Sequence, residues 1–208
     1  MDLGISSFPE GIVGSGTSLS DLGWDILYTA AALPQNSTPA WTSNVIGSPT
    51  AEISPAGILH LVNTALGAEV NYDITDSNLD NAVGSTLQIR TQVIDAASQF
   101  TFDLVLTDGT RAWEVSILND RVRLLDDQIS EVDQDYLMDT TDDYHIYHMT
   151  MIGTAIKVYA DGVLRLQGTS DVSEISKNIN IGSLVDGTIA SEYNIDYIYY
   201  STGGAFIP

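Results

Sequence analysis

Apolar and polar residues alternate with a period of two along much of the chain. The longest such stretch runs from Ser85 to Ala96, where Leu87, Ile89, Thr91 and Val93 share one side and polar residues take the other. Side chains of a β-strand point alternately to its two faces, so this pattern predicts a strand with one buried face. No stretch sustains the 3.6-residue period of an amphipathic helix. The pattern therefore predicts an all-β chain.

Turn sequences divide the chain into short segments of this kind. Asp108-Gly109 and Asp161-Gly162 are tight-turn signals, and Gly153-Thr154 separates a predicted strand at Tyr144–Ile152 from one at Ala155–Ala160. So short a turn predicts that these two strands pair antiparallel. Many short strands with regular turns are typical of a sandwich or barrel.

The last strand carries a run of alternating large residues. We expect one face of it to be lined by Tyr193, Ile195, Tyr197 and Tyr199. A continuous period of two would place all four side chains in the same layer.

Two regions differ in composition. Residues 1–23 are rich in Gly and Ser and contain Pro9, which predicts an extended N-terminal arm. The pattern over residues 24–208 predicts a single β-sandwich domain, and this length is common for one all-β domain. Apolar residues of the arm are expected to pack on a neighbouring chain, which would make the arm an assembly element and a route to a homo-oligomer. Packing on its own sandwich is the alternative.

The net charge limits the classes of partner that the chain can bind. Twenty-eight acidic residues against 7 basic ones give a net charge of −21, and there are no cysteines. Nucleic acid is a poor partner, because binding phosphates requires Lys and Arg. No apolar run is long enough to insert into a membrane, and Met1–Ile5 lacks the features of a secretion signal. An extracellular or virion-surface location remains our expectation.

One segment carries a family resemblance. Tyr144-His145-Ile146-Tyr147 followed by Val158-Tyr159-Ala160-Asp161-Gly162 resembles the strand, hairpin and strand of concanavalin A-like and laminin-G-like domains. The resemblance implies a two-sheet antiparallel jelly-roll sandwich. It does not imply one activity, since the fold hosts lectins, glycosidases, lyases, adhesion modules and virion proteins.

Three functions are compatible with this fold: glycan recognition, a structural role in a large assembly, and cleavage of a polysaccharide. The chain is expected to be a non-catalytic recognition or assembly protein. Its partners would be a glycan or the protein subunits of a larger assembly, such as a virion surface, decoration or fibre component. The alternative is a glycoside hydrolase or polysaccharide lyase of the same fold.

Glu131, Asp133 and Asp135 form the nearest approach to a catalytic motif. Family 16 glycosidases, which share the fold, carry Glu-x-Asp-x-(x)-Glu on a strand, where alternate carboxylates share one face and act as nucleophile and general acid. Here Asp135 replaces the final Glu and its side chain is shorter. An acidic loop is the competing interpretation.

Asp76, Asn78 and Asp80 place oxygen ligands at alternate positions, as calcium-binding loops do. Calcium is the only cofactor that the sequence suggests, and a solvated turn is the alternative. The spacing of an EF-hand fails, because Asn81 stands at the position of the turn glycine and Leu87 at that of the bidentate glutamate.

Aromatic residues are the candidate sugar-stacking groups. Trp41, Trp113 and Tyr197 are the residues considered for ligand binding, with core packing as the competing role. His145 and His148 stand three apart on a predicted strand, so they face opposite sides and cannot hold one metal together.

Overall fold

A computed structural model describes residues 24–63, 68–96, 102–125, 132–170, 172–182, 190–206 and 208. The predicted arm, residues 1–23, lies outside the described residues. The strands are β1 (Ile26–Tyr28), β2 (Thr42–Ile46), β3 (Thr50–Ile53), β4 (Leu59–Asn63), β5 (Glu69–Thr75), β6 (Ser85–Ala96), β7 (Asp103–Asp108), β8 (Ala112–Leu118), β9 (Arg121–Leu125), β10 (Val132–Leu137), β11 (His145–Ile152), β12 (Ala155–Ala160), β13 (Val163–Thr169), β14 (Lys177–Gly182) and β15 (Ser191–Ser201). A short 3-10 helix, Pro34–Asn36, precedes β2.

The strands form two antiparallel sheets. The eight-stranded sheet has the order β13-β12-β11-β6-β15-β4-β3, with β1 pairing the second half of β15 beside β4. The seven-stranded sheet has the order β10-β9-β8-β7-β14-β5-β2. Chain neighbours are thus often separated in space, and β6 and β15 pair across about half the chain. The predicted jelly-roll sandwich is confirmed.

The core lies between the inner faces of the two sheets. On β6, Leu87, Ile89, Thr91 and Val93 are fully buried, as the period of two predicts. Trp113 and Tyr72 of the seven-stranded sheet enter the same apolar layer. Burial of this apolar surface is the main force that holds the sheets together.

The predicted hairpin is also confirmed. β11 and β12 pair antiparallel from Tyr147 opposite Ala160 to Ile152 opposite Ala155. Gly153 supplies the positive φ of 61° that the tight turn needs.

The expectation that Tyr193, Ile195, Tyr197 and Tyr199 share one face is wrong. The register with β6 shifts between Ile195 and Tyr197, so Asp196 is an extra residue in β15. Such a bulge reverses the facing of everything that follows it. Tyr193 and Ile195 therefore point into the core, whereas Tyr197 and Tyr199 lie half-buried on the outer face and Ile198 and Tyr200 take the inner positions.

One pair of sheet edges is joined by side chains. The Gln134 amide of β10 donates to the Gln167 carbonyl oxygen of β13 at 2.7 Å, and the Arg165 guanidinium lies 4.4 Å from the centre of the Tyr136 ring. Unpaired edge strands invite pairing with other chains, and these contacts occupy part of both edges.

The described residues contain no helix with the length and apolar composition that crossing a bilayer requires.

Candidate functional site

Polar side chains cover the outer face of the seven-stranded sheet. Alternate residues of each strand enter the core, as Leu104 and Leu106 do on β7, which leaves their neighbours pointing outward. We call this surface the polar face, and it comprises Asn44, Asn71, Asp73, Asp103, Glu114, Ser116, Arg123, Asp135, Asn178 and Asn180.

The strand register arranges these residues in two rows. The first row crosses all seven strands in the order Asn44, Asn71, Gly182, Asp103, Ser116, Arg123 and Asp135. The second row runs in the order Thr42, Asp73, Asn180, Val105, Glu114 and Leu125. Residues directly opposite on neighbouring strands are close enough for their side chains to interact.

Gly182 interrupts the first row. Its φ is +137°, and a Cβ atom there would come within 2.4 Å of the Val70 carbonyl oxygen. No other residue fits that position without moving the backbone of β5. The row thus has a gap between Asn71 and Asp103.

At one end of the face, the Asp73 carboxylate accepts hydrogen bonds from the side-chain amides of Asn44 and Asn180. Asn180 is only 9% exposed, and its Oδ1 has no hydrogen-bond partner among the described residues. A buried acceptor without a donor is costly.

At the centre, the Ser116 hydroxyl donates to the Asp103 carboxylate, and both residues are withdrawn from solvent although they point away from the core. Glu114 lies in the second row between Val105 and Leu125. Burial raises the pKa of the Glu114 carboxyl above its usual value. No ion pair found in the described part of the chain includes Glu114.

At the other end, Asp135 is paired with two arginines. Arg123 donates to both of its oxygens at 2.8 and 3.1 Å, and Arg121 donates at 2.8 Å. The Arg123 guanidinium, supported by Arg121, holds the pKa of Asp135 below its usual value. A general acid needs a raised pKa, so Asp135 is poorly suited to that role.

The other two residues of the predicted catalytic motif, Glu131 and Asp133, lie at the boundary of the described residues. Glu131 is outside the described residues, and of Asp133 only the backbone, in the edge strand β10, is described. On the interior strand β8, the spacing Glu-x-Asp-x-Glu would fall on Glu114, Ser116 and Leu118. That strand thus offers a single carboxylate to the polar face.

The candidate stacking residues occupy different environments. Trp41 and Trp113 are 3% and 2% exposed and belong to the core, so neither ring is accessible to a sugar, and the structure gives them no support as ligand residues. The sequence did not reveal this, because alternation with a period of two separates the two faces of a strand but does not show which face is buried. Tyr197 lies on the outer face of the eight-stranded sheet, its ring stacked on Tyr199 with centroids 4.2 Å apart.

Hydrogen bonds of its own hold the predicted calcium loop. Asp76 accepts from the Asn78 backbone N–H at 2.9 Å and from the Tyr200 hydroxyl at 2.8 Å, while Asp80 accepts from the Ala82 N–H at 2.8 Å. The Lys177 ammonium donates to the carbonyl oxygens of Ser77, at 3.2 Å, and Leu79. Among the residues that the structure describes, no three His, Cys, Asp or Glu side chains form a metal-binding group. These contacts leave the calcium site expected from the sequence untested.

Each histidine has partners at both ring nitrogens. His145 lies between Asp161 and Asp142 at 2.8 and 2.9 Å; burial alone would lower its pKa, but these hydrogen bonds outweigh burial and raise it. His148 pairs with Gln88 and the Phe206 carbonyl oxygen on the outer face, and burial lowers its pKa. The strand register confirms that His145 and His148 face opposite sides, because His145 is opposite Thr91 and His148 opposite Gln88.

Comparison of the fold with solved structures decides the architecture. A carbohydrate esterase from the Shiga toxin-encoding bacteriophage phi24B matches 84% of this chain and 96% of its own, with a TM-score of 0.60 and 16% identity. The β-glucanase of Bacillus licheniformis matches 85% of this chain and 97% of its own, with a TM-score of 0.57 and 14% identity. The fold is a concanavalin A-like jelly roll.

A third match is to a larger protein. Botulinum neurotoxin type C, which depends on two ganglioside molecules to enter cells, matches 80% of this chain with a TM-score of 0.55 and 11% identity. The chain spans less than half of that structure, 44% of its length. No protein-family model matches the sequence, and no curated protein matches it by sequence. At these identities the matches show the fold alone.

Proposed function

We propose that this chain is a non-catalytic carbohydrate-recognition protein that binds its ligand across the polar face. The observation that carries the proposal is the pair of cross-strand rows, which align carboxylates, carboxamides and a hydroxyl on adjacent strands. Asn44, Asp73 and Glu114 are at least partly exposed, whereas Asp103 and Ser116 are buried. Sugars present closely spaced hydroxyl groups that both donate and accept hydrogen bonds, and a rigid sheet holds such partners in fixed positions.

The fold matches support the ligand class. The three structures compared above are a β-glucanase, a carbohydrate esterase and a toxin that depends on gangliosides. Each of these three proteins acts on or depends on a molecule that contains carbohydrate. One fold can host many functions, so the fold matches alone do not identify a ligand. For this chain, the proposal of a carbohydrate ligand depends on the residues of the polar face.

Binding without hydrolysis is favoured by the positions of the carboxylates. Retaining and inverting glycosidases need two carboxyl groups flanking the scissile bond, one of them able to act as an acid. Glu114 is the only carboxylate that β8 turns outward, and Asp135 is held charged by Arg123 and Arg121. A hydrolase or lyase remains the competing function, and product release would reveal it.

Glycan binding by an Asn180→Ala variant tests the proposal. Loss of the buried carboxamide removes one hydrogen bond to the ligand, worth about 1–1.5 kcal/mol, so affinity for any bound oligosaccharide should fall about five- to tenfold. Binding is measured by calorimetry with oligosaccharides selected on a glycan array, and each sample is also assayed for new reducing ends and unsaturated products.

Asn194→Ala is the matched control, because Asn194 lies on the outer face of the opposite sheet, across from His60. It should leave affinity unchanged. Equal losses in both variants would count against the polar face, and new reducing ends or unsaturated products would replace recognition with catalysis. Absence of binding to every glycan would end the proposal.

A further inference from the structure

Among the described residues, no cation pairs with the Glu114 carboxylate. It lies between Val105 and Leu125, and the only cause that shifts its pKa is burial, with no arginine or lysine offsetting it. The nearest guanidinium in the strand register, that of Arg123, is bound to Asp135. Because the Glu114 carboxylate is partly buried and unpaired, it would attract a cation strongly. No basic group among the described residues takes that position.

A second carboxylate on the same face, that of Asp73, has only neutral donors among the described residues. Asp73 receives the amides of Asn44 and Asn180, which satisfy its hydrogen bonds but not its charge. In the second row only Asn180 and Val105 stand between Asp73 and Glu114. The buried Oδ1 of Asn180, free of partners among the described residues, adds a further acceptor between the two charges.

The field of the whole chain has the same sign. A net charge of −21 attracts cations and repels anions at long range, and the effect is greatest at low ionic strength. Among the described residues, the Asn180 Oδ1 has no donor and the carboxylates of Asp73 and Glu114 have no cation, so this part of the polar face is complementary to ammonium groups.

We propose that Glu114 pairs with an ammonium group of the ligand, so that the polar face selects saccharides with free amino groups over neutral ones and rejects anionic ones. The inference rests on the proposed function and specifies its ligand. A neutral sugar hydroxyl still donates to Glu114, which accounts for basal binding. An ammonium group adds a charge-assisted bond in a partly desolvated setting, where such bonds are stronger.

The test compares two oligosaccharides that share one backbone and differ only in N-acetylation, and adds an anionic oligosaccharide of a different backbone as a third ligand. Calorimetry with the full chain at about pH 6 and low salt measures affinity for oligomers of glucosamine, for N-acetylglucosamine oligomers of the same length, and for galacturonic acid oligomers. The glucosamine oligomers should bind at least about tenfold more tightly than the acetylated ones, and the anionic oligomers should not bind. The preference should shrink as salt is raised.

Two variants locate the effect. Glu114→Gln keeps the side-chain shape and should reduce the preference for free amines to less than about twofold. Asp95→Asn removes the same charge from an exposed position on the eight-stranded sheet, opposite Glu192, and should leave the preference intact. Equal effects of the two variants would show that only net charge matters and would overturn the inference.

Other outcomes separate this inference from the proposed function. Equal affinity for amino and acetylated oligomers overturns the role of Glu114 and leaves carbohydrate recognition standing. Lysine oligopeptides that bind as tightly as the amino-oligosaccharides would show a site that reads charge alone, and would overturn selection of a sugar. If no oligosaccharide binds, both proposals fail.

Discussion

Single residues give the polar face its shape. Gly182 leaves a gap in the first row, and Glu114 contributes a carboxylate that burial holds at a raised pKa. Neither is conspicuous in the sequence. Glu114 is one acidic residue among 28 and has no acidic neighbour, and only its strand and register show its environment.

Substitution of Gly182 by alanine should destabilise the fold strongly. Its Cβ would lie 2.4 Å from the Val70 carbonyl oxygen, at a φ that alanine rarely adopts, so we expect a loss of about 2–4 kcal/mol. Gly57→Ala is the control. It also has a positive φ, of +76°, but open space around the Cβ position, so its loss should be near 1 kcal/mol. Urea unfolding measures both, and equal losses would contradict the steric account.

At the level of elements, regular alternation predicted strands well and irregularity escaped prediction. β6, β11 and β12 follow from their period of two and their turn sequences. The bulge at Asp196 does not, because the sequence of β15 continues its alternation of large residues without a break. In the folded chain the bulge is supported by an ion pair between Asp196 and Arg90 and by a hydrogen bond from Gln88 to the Tyr197 hydroxyl.

The polar face could not be predicted from the sequence, for a related reason. Its residues come from strands distant in sequence, and Asp73 and Asn180 are 107 residues apart although their side chains are bonded. Local motifs drew attention instead to residues 131–135, at a sheet edge, and to Asp76, Asn78 and Asp80. Outward positions of the alternating segments, such as Glu114 and Ser116, were visible, but the order of strands that joins them was not.

Calcium should not change the stability of the 76–80 loop. Lys177 already places a cation on the carbonyl oxygens of Ser77 and Leu79, and Asp76 uses both carboxylate oxygens in hydrogen bonds. A ligand that binds only the native state raises its melting temperature with concentration, so thermal melts in calcium and in chelator should coincide. A calcium-dependent rise that is lost in Asp80→Asn would restore the calcium site.

On the scale of the whole molecule, the two sheets present different outer surfaces. The polar face carries carboxylates and amides, whereas the eight-stranded sheet carries the stacked rings of Tyr197 and Tyr199, with Trp24 5.7 Å from the latter. Both surfaces contain groups that can contact sugars, and the proposed function places the ligand on the seven-stranded sheet. The assembly role predicted for residues 1–23 lies outside the described residues and stays a prediction.

Mapping of backbone amide shifts by NMR, during titration with a bound oligosaccharide, tests that claim most directly. The largest changes should fall on the two rows of the polar face, at Asn71, Asp73, Val105, Glu114 and Asn180. Changes confined to β6 and β15 around Tyr197 would place the ligand on the opposite sheet and contradict that claim.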